Sequence, residues 1–307
     1  MLLVVGEALV DLVIAPDGSV ESALGGAPFN AARAAALLGA DVEFCGVLSH
    51  DRFGTLLADR LEADGVGVSS APRTEAPTTL AAAELDDTGA AVYRFYVEQT
   101  AAPSLASIDT ARPPDVLLTG GLALALTPIA DTIADGLATV PADTLVMIDV
   151  NCRPTVIADR GAYRARLDAM LGRADIVKVS DDDLDYLEPS LPTIAAAQQL
   201  LDAGPSAILV TAGSKSTTVL TPDGQLDVTV PPLAAPVIDT IGAGDTFTGA
   251  LLAWWEQAGF GRAHVDLSSI ARAVDAAHAA AAVVVTRRGA DPPGRSDLAT
   301  DWAPRRD

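Results

Sequence analysis

The stretch DTIGAGDTFTGALLAWW, which runs from residue 239 to residue 255, says most about the fold. Gly242, Ala243 and Gly244 form a turn with almost no side chains, and an amphipathic helical run follows them. The unpaired N–H groups and the dipole at such a helix N-terminus favour an anion. Asp245 lies in the first turn. It could simply cap the helix, but an upstream aspartate and two nearby threonines point to a functional site.

Outward from this stretch, short apolar runs alternate with alanine-rich helical runs. Strands are predicted over residues 2–5, 42–47, 116–119, 145–150, 176–179 and 207–211. Helices are predicted over residues 30–38, 52–63, 129–138, 163–171, 194–203 and 243–257, and from 267 to about 286. The strands are apolar on both faces, as in a sheet that helices cover on both sides. The alternation therefore predicts an α/β fold with a doubly wound, mostly parallel sheet.

One stretch breaks this alternation. Residues 79–86 and 91–97 have the period of a β-hairpin, with Asp87, Thr88 and Gly89 at its turn. A hairpin alone cannot bury both of its faces. It must therefore pack on a ligand, on a second subunit or on the main sheet.

A second motif, GGAPFNAARAAALLG, covers residues 25–39. The paired glycines Gly25 and Gly26 would let a ligand approach the backbone closely. Asn30 can both donate and accept hydrogen bonds, which suits a polyol. A tight turn before a helix of small residues would explain the same pattern, so the motif alone leaves both interpretations open.

Composition excludes several classes of protein. The chain of 307 residues has 20 Lys and Arg against 41 Asp and Glu, a net charge of −21. This charge repels phosphate backbones, so nucleic acid is not expected as a partner. Two cysteines cannot form a disulfide framework, which favours a reduced, cytoplasmic setting. Uninterrupted apolar runs are shorter than the roughly 20 residues that span a bilayer, so a membrane is not expected as a partner either.

Both motifs, in this order, resemble the signatures of the PfkB (ribokinase-like) carbohydrate kinase family. The resemblance extends from GEALVDL near the N-terminus to Gly289-Ala290. It implies one ribokinase-like domain over residues 1–307, with three α/β/α layers and a β-hairpin lid at about 75–100. The implied activity is transfer of the γ-phosphoryl group of ATP to a sugar hydroxyl. Asp149, Asn151 and Arg153 form a D-x-N-x-R pattern that favours the fructokinase-like branch.

The resemblance also assigns roles to individual residues. Asp245 matches the catalytic base, and Gly242, Ala243 and Gly244 match the anion hole that stabilises the transferring group. Arg153 is taken as the only cation of its cluster and hence as a clamp for phosphate or substrate. The implied substrate-binding residues are Asp11, Gly25, Gly26, Asn30 and Arg153.

The nucleotide side departs from the family pattern. Ser180 and Asp183 occupy the positions of N-x-x-E, and Ser216 replaces the second glycine of T-x-G-x-x-G. Asp183 is expected to hold Mg²⁺ through water, and His278 is expected to stack on the adenine. The implied ATP-binding residues are Ser180, Asp183, Thr211, Gly213, Lys215, Gly244 and His278.

Two further expectations come from the family. Asp239, the backbone of Ile241 and the turn at Gly289 match a site for a monovalent cation such as K⁺. The lid, which covers the sugar, is expected to pair with a second copy of the chain. The expected partners are therefore a sugar, ATP and a second subunit.

Alternative functions stay open at this stage. A 2-dehydro-3-deoxygluconokinase would need a cation for the carboxylate of its sugar acid, and Arg153 or Arg94 could serve. A ribokinase or a nucleoside kinase is a further alternative. The altered nucleotide motifs would also suit a non-catalytic sugar-binding protein, although such a protein has no need of Asp245. An oxidoreductase of the Rossmann type is a further alternative, but the sequence has no G-x-G-x-x-G fingerprint after its first strand.

Overall fold

The computed structural model describes residues 1–86, 91–109 and 112–303. In chain order its strands are β1 (Leu2–Val5), β2 (Leu9–Ile14), β3 (Val20–Gly25), β4 (Val42–Cys45), β5 (Leu48–Ser49), β6 (Arg73–Thr74), β7 (Leu80–Leu85), β8 (Ala91–Tyr96), β9 (Val116–Gly120), β10 (Leu145–Asp149), β11 (Ile176–Ser180), β12 (Ala207–Thr211), β13 (Ser216–Thr221) and β14 (Gly224–Thr229). Its helices are α1 (Ala27–Leu37), α2 (Arg52–Ala63), α3 (Ile129–Leu137), α4 (Arg160–Leu171), α5 (Asp181–Leu187), α6 (Thr193–Asp202), α7 (Ala243–Gln257) and α8 (Leu267–Val284).

The main sheet has the strand order β14-β13-β12-β11-β10-β9-β1-β4. Neighbouring strands run parallel from β12 to β4, whereas β13 and β14 add an antiparallel edge. The predicted mostly parallel sheet is thus confirmed.

Helices cover both faces of this sheet, because alternate side chains of each strand point to opposite sides. In β1, Leu2 and Val4 pack in a core with α1, α2, α7 and α8. Leu3 and Val5 pack in a second core with α3, α4, α5 and α6. The result is the expected three-layer α/β/α arrangement.

The segment predicted to form a lid lies in a second sheet. The predicted hairpin strands are present as β7 and β8, while its turn at Asp87, Thr88 and Gly89 lies outside the described residues. The sheet order is β3-β2-β7-β8, so half of the lid comes from residues 9–25, a contribution that the sequence did not predict. We call this four-stranded unit the lid sheet.

Helix α8 is long and apolar enough to cross a bilayer by length and composition. Half of it is buried within the fold, where it packs on α7, β13 and β14. A core helix of a globular domain meets the same criterion.

The fold collects polar residues at one edge of the main sheet. The carboxyl ends of β10, β11 and β12 meet there, and they end at Asp149, Ser180 and Thr211. Ligands gather at this edge in open α/β sheets. The N-terminus of α7 lies at the same edge, since Thr248 of its second turn donates a hydrogen bond to Asp149.

Candidate active site

The N-terminus of α7 forms an open turn. Gly242 precedes the helix with φ 74°, and no side chain caps this end. A Cβ at Gly242 would lie 2.5 Å from the Cβ of Ala290, so both the backbone angle and the space require glycine. The N–H of Ala243 donates to the carbonyl oxygen of Thr240 at 3.2 Å, whereas the N–H groups of Gly244 and Asp245 have no acceptor among the described residues and are available to an anion.

Asp245 lies in the first turn of α7 and is half-buried. Its Oδ2 accepts a hydrogen bond of 2.9 Å from Nδ2 of Asn30 in α1. Burial raises the pKa of Asp245 to about 6, and the nearby charge of Asp149 acts in the same direction. The Asn30 hydrogen bond and the charges of Lys178 and Arg153 oppose the rise. A carboxyl group with this pKa is ionised at neutral pH and close to the range of an effective general base.

Asn30 is buried, and its Oδ1 has no hydrogen-bond partner among the described residues. A buried acceptor left unpaired is costly. A ligand hydroxyl that donates to this oxygen would remove the cost.

Asp11 lies on β2 of the lid sheet, next to the glycine turn that leads into α1. A Cβ at Gly25 would lie 2.1 Å from Oδ2 of Asp11. Gly26 has φ 109°, and a Cβ there would lie 2.7 Å from the carbonyl oxygen of Glu7. Burial raises the pKa of Asp11 to about 6, opposed by the charge of Arg153. The predicted sugar-binding residues therefore lie close together, in the region between the lid sheet and the N-terminus of α7, which we call the cleft.

Arg153 follows the D-x-N pattern and is exposed. Its Nη1 donates to Oδ1 of Asn151 at 2.6 Å and to the carbonyl oxygen of Cys152 at 2.9 Å. Asn151 has φ 41°, in the left-handed region that asparagine tolerates better than most residues. This turn holds the guanidinium close enough for its charge to act on both Asp11 and Asp245.

The prediction that Arg153 is the only cation of this cluster is wrong. Nζ of Lys178 lies 2.8 Å from both carboxylate oxygens of Asp149, and both residues are buried. Thr248 donates to Oδ2 of Asp149 at 2.7 Å. This pair was not predicted, because Lys178 stands inside an apolar strand and meets Asp149 only through the parallel register of β10 and β11.

Ser180 and Asp183 form a capping box at the start of α5, a helix that the sequence did not predict. Oδ2 of Asp183 accepts from the N–H of Ser180 at 2.9 Å, and Oδ1 accepts from the N–H of Cys152 at 2.7 Å. Both oxygens already have backbone partners. The role of Asp183 toward Mg²⁺ stays a prediction, and contact through water disturbs these bonds less than direct ligation.

The other predicted nucleotide residues lie between β12 and β13. Thr211 pairs in register with Ser180, which brings the two hydroxyl residues to the same edge. Gly213 has φ 58° and leads to Lys215, which is exposed. Their contacts with ATP stay predictions.

The expected stacking of His278 on adenine is not supported. The residue is only 4 % exposed, its Nε2 lies 2.9 Å from Oγ1 of Thr217, and its ring packs against Phe247. Burial lowers the pKa of His278. This environment fits a neutral histidine of the protein core and leaves little room for a base.

Asp239 joins the residues predicted for a monovalent cation. Its Oδ1 accepts from the N–H of Ile241 at 3.0 Å, and its Oδ2 accepts from the N–H of Gly289 at 2.9 Å. The adjacent Ala290 accepts a hydrogen bond from the buried Arg33. The turn at residues 289–290 is thereby fixed against Gly242.

The pfkB family carbohydrate kinase model matches residues 1–296. The chain belongs to this family of carbohydrate kinases. A fructokinase of Rhizobium leguminosarum bv. trifolii is 35% identical over 264 residues, which is 82% of this chain and 79% of the relative. The resemblance drawn from the two motifs is confirmed.

Solved structures give the same assignment for this pfkB kinase. A fructokinase from Xylella fastidiosa with bound ATP superimposes with a TM-score of 0.83, at 30% identity over 94% of this chain and 93% of that one. A fructokinase from Vibrio cholerae O395, in a form with fructose, ADP and calcium ion bound, gives 0.83 at 28% identity over 94% of each chain. The fold is therefore ribokinase-like.

A second residue of this pfkB kinase also escaped the sequence analysis. Glu7 is buried, and its carboxylate accepts backbone N–H groups of Ala27, Leu122 and Ala123 at 3.0–3.3 Å. Burial raises the pKa of Glu7 to about 7, against the effect of these hydrogen bonds. Glu7 ties the start of α1 to the end of β9. A glutamate inside the N-terminal apolar run was the sequence feature that could have indicated a buried carboxylate.

Proposed function

We propose that this protein is an ATP-dependent fructokinase. The observation that carries the proposal is the contact between Asn30 and Asp245, which unites a polyol-binding side chain with a carboxylate at an open helix N-terminus. The charge of Arg153 and the lid residue Asp11 act at the same cleft. Relatives named fructokinase support the choice of sugar.

The mechanism follows from the two oxygens of Asp245. Asn30 occupies Oδ2, which leaves Oδ1 to accept the sugar hydroxyl. As the hydroxyl oxygen bonds to the γ-phosphorus, the bond from that phosphorus to the β,γ-bridging oxygen breaks, and the hydroxyl proton passes to Asp245. The N–H groups of Gly242 and Gly244 stabilise the charge on the transferring group, while that of Ala243 donates to the carbonyl oxygen of Thr240. ADP leaves with the displaced oxygen.

The sugar is held by side-chain oxygen atoms and by the backbone of two glycines. Asn30 accepts one hydroxyl through its unpaired Oδ1, and Asp11 accepts another. Gly25 and Gly26 keep the backbone close to the sugar. Arg153 supplies positive charge near the anionic product.

The nucleotide is assigned to the opposite side of the α7 N-terminus. Ser180, Asp183, Thr211, Gly213, Lys215 and Gly244 are the proposed ATP-binding residues. Mg²⁺, held through water near Asp183, would offset the charge of the phosphates. A monovalent cation such as K⁺ is assigned to Asp239, Ile241 and the turn at Gly289. Relatives with ATP, calcium ion or potassium ion bound support the choice of these ligands.

We also propose that two copies of the chain pair through their lid sheets. Asp11 faces the cleft, so side chains one position away in the register point outward. On that outer face Val20, Val92 and Tyr96 are exposed by 56 %, 60 % and 53 %. Exposed apolar side chains beside an ion pair, here Arg94 with Glu84, are typical of an interface.

Sedimentation velocity tests this pairing. We expect a dimer for the native chain and a monomer for the variant Val92→Glu/Tyr96→Glu. A native chain that sediments as a monomer at micromolar concentration contradicts it.

The outer face also bears on the sugar-acid alternative. Arg94 lies there and pairs with Glu84 at 2.8 Å, so it does not face the cleft. This position does not support the expectation that Arg94 binds a substrate carboxylate. Arg153 alone remains for that role, which weakens the case for 2-dehydro-3-deoxygluconokinase.

Coupled detection of ADP release, with ATP and Mg²⁺, tests the proposed function. The acceptors are fructose, 2-dehydro-3-deoxygluconate, ribose, glucose and adenosine. We expect the highest kcat/KM with fructose. The assay buffer is reducing, as in the cytoplasm, because both cysteines are buried free thiols. A higher kcat/KM with another acceptor would make that acceptor the assigned substrate in place of fructose. Sugar binding without any turnover would favour the non-catalytic alternative.

A further inference from the structure

Lys178 is one of only two lysines in the sequence, the other being Lys215. It is 6 % exposed and lies on β11 at the carboxyl edge of the sheet. An ammonium group has three N–H donors. Two of them reach the carboxylate oxygens of Asp149, and no acceptor for the third is found among residues 1–86, 91–109 and 112–303.

The ammonium group of Lys178 lies next to the predicted anion hole. A Cβ built on Gly244 would lie 3.5 Å from Nζ of Lys178. The ammonium group therefore lies beside the first turn of α7, where glycine leaves space. Thr248 donates to Asp149 at 2.7 Å and holds the pair beneath that turn. The charge of Lys178 reaches Asp245, as the opposing effect on the Asp245 carboxyl shows.

We propose that Lys178 is a catalytic residue that donates its third N–H to an oxygen of the transferring phosphoryl group, through the opening that Gly244 leaves. This role rests on the proposed kinase function. Asp149 and Thr248 act as positioning residues, because they orient the ammonium without reaching the substrate. The helix N-terminus carries a partial positive charge, and a fixed cation beside it increases the positive potential where the negatively charged phosphoryl group is transferred. It also offsets the repulsion between a chain of charge −21 and ATP.

The native protein allows a direct test by NMR. Selective ¹⁵N labelling of lysine gives two Nζ signals, which a Lys215→Met sample assigns. Addition of ADP with aluminium fluoride, which mimics the phosphoryl group in transit, should shift the Lys178 signal. ADP alone should leave it nearly unchanged. A Lys178 signal that does not respond to the aluminium fluoride complex overturns the proposal.

Removal of the charge supplies the kinetic test. Lys178→Met alone would leave Asp149 buried without its partner and endanger folding. The variant Lys178→Met/Asp149→Asn removes both charges together. We expect kcat with fructose to fall about 10²–10³-fold, as for a lost transition-state donor, with the KM for fructose within about threefold of the native value. A folded double variant with native kcat overturns the proposal.

A matched control lies at the other end of the same strand. Asp175 is buried just before β11 and pairs with Arg262 at 2.6 Å. Arg262→Met/Asp175→Asn removes an ion pair between a buried aspartate and a partly exposed arginine, far from the cleft, and we expect native kcat and KM. A loss of kcat equal to that of the Lys178 double variant would assign the effect to general damage and overturn the proposal.

These tests separate the two levels of inference. A native protein that turns over none of the acceptors removes the proposed function, whereas a shift of the Lys178 signal with ADP and aluminium fluoride would still support the contact. Turnover of fructose without that shift, and with native kcat in the double variant, keeps the function and removes Lys178.

Discussion

Asn30 donates a hydrogen bond of 2.9 Å to Asp245, although the two residues belong to the first and the seventh helix of the chain. The bond joins the two sequence motifs into one site. It also leaves one oxygen of each side chain free for a ligand, since Oδ1 of Asn30 has no partner in the described structure. One hydroxyl group placed between them can donate to either oxygen.

Replacement of the base should separate catalysis from stability. We expect Asp245→Asn to lower kcat by about 10³–10⁴-fold, within or near the range for a lost general base, while ATP affinity stays native. The folded pKa of Asp245, about 6, exceeds its ordinary value, so at pH 8 folding buries an unfavourable charge. The melting temperature of Asp245→Asn at pH 8 should therefore equal or exceed that of the native protein. Near-native kcat would exclude Asp245 as the base.

The rate should depend on pH through Asp245 and Asp11. Both have a pKa raised to about 6 by burial, and both must be ionised to accept hydroxyl hydrogens. We expect kcat/KM for fructose to be level above pH 7 and to fall below pH 6. With two groups the fall approaches about a hundredfold per pH unit, and with one group about tenfold. Asp11→Asn should accordingly show the shallower slope, and a level profile down to pH 5 would contradict both assignments.

Asp11 should act on sugar binding more than on the chemical step. Asp11→Asn is expected to raise the KM for fructose by about 10–100-fold, the loss of a charged hydrogen bond, and to leave the KM for ATP unchanged. Asp17→Asn, on the exposed turn between β2 and β3, is a control of the same type and should behave as the native protein. An unchanged KM for fructose in Asp11→Asn would remove Asp11 from the sugar site.

The turn before α7 can be tested with two glycines of similar conformation. Gly242 has φ 74° and no room for a Cβ, whereas Gly259, after α7, has φ 69° and open space around it. Alanine at either position pays a left-handed backbone cost of about 1–2 kcal/mol. We expect Gly259→Ala to lose only this stability and to keep kcat. Gly242→Ala should lose more stability by urea unfolding and, because the anion hole is displaced, most of its kcat.

Equal losses of unfolding free energy in the two glycine variants, with native kcat in both, would contradict the role of Gly242. The comparison separates the effect of the contact with Ala290 from the free-energy cost of the left-handed backbone conformation. Their shared left-handed conformation makes Gly259→Ala a closer control than an alanine at an ordinary helical position.

Local pattern was sufficient to predict the elements with a strong periodicity. Helices α2 and α7 and strands β1 and β12 have the predicted bounds. Helix α5 was missed because its three consecutive aspartates resemble a ligand cluster, whereas Ser180 and Asp183 cap its first turn. Strands β2 and β3 were missed as parts of the lid, since their place depends on pairing with β7, far along the chain.

The site was predictable where a motif carries its own geometry. Asp245 and its glycines belong to one continuous segment, so their arrangement follows from a helix start. Lys178 and Asp149 meet only across two parallel strands, and that register requires knowledge of the sheet order. The burial of His278, which opposes its predicted role, likewise depends on packing between α8 and β13.

The most direct measurement of the central claim follows the phosphoryl group itself. Native protein and Asp245→Asn are each mixed with fructose, Mg²⁺ and ATP labelled at the γ-phosphoryl group, and the hexose phosphate is quantified. We predict labelled fructose phosphate from the native protein and, at equal ATP occupancy, less than about 1% of that initial rate from Asp245→Asn. No labelled sugar phosphate from the native protein, or equal rates from both proteins, would contradict the assignment of Asp245 as the base of a fructokinase.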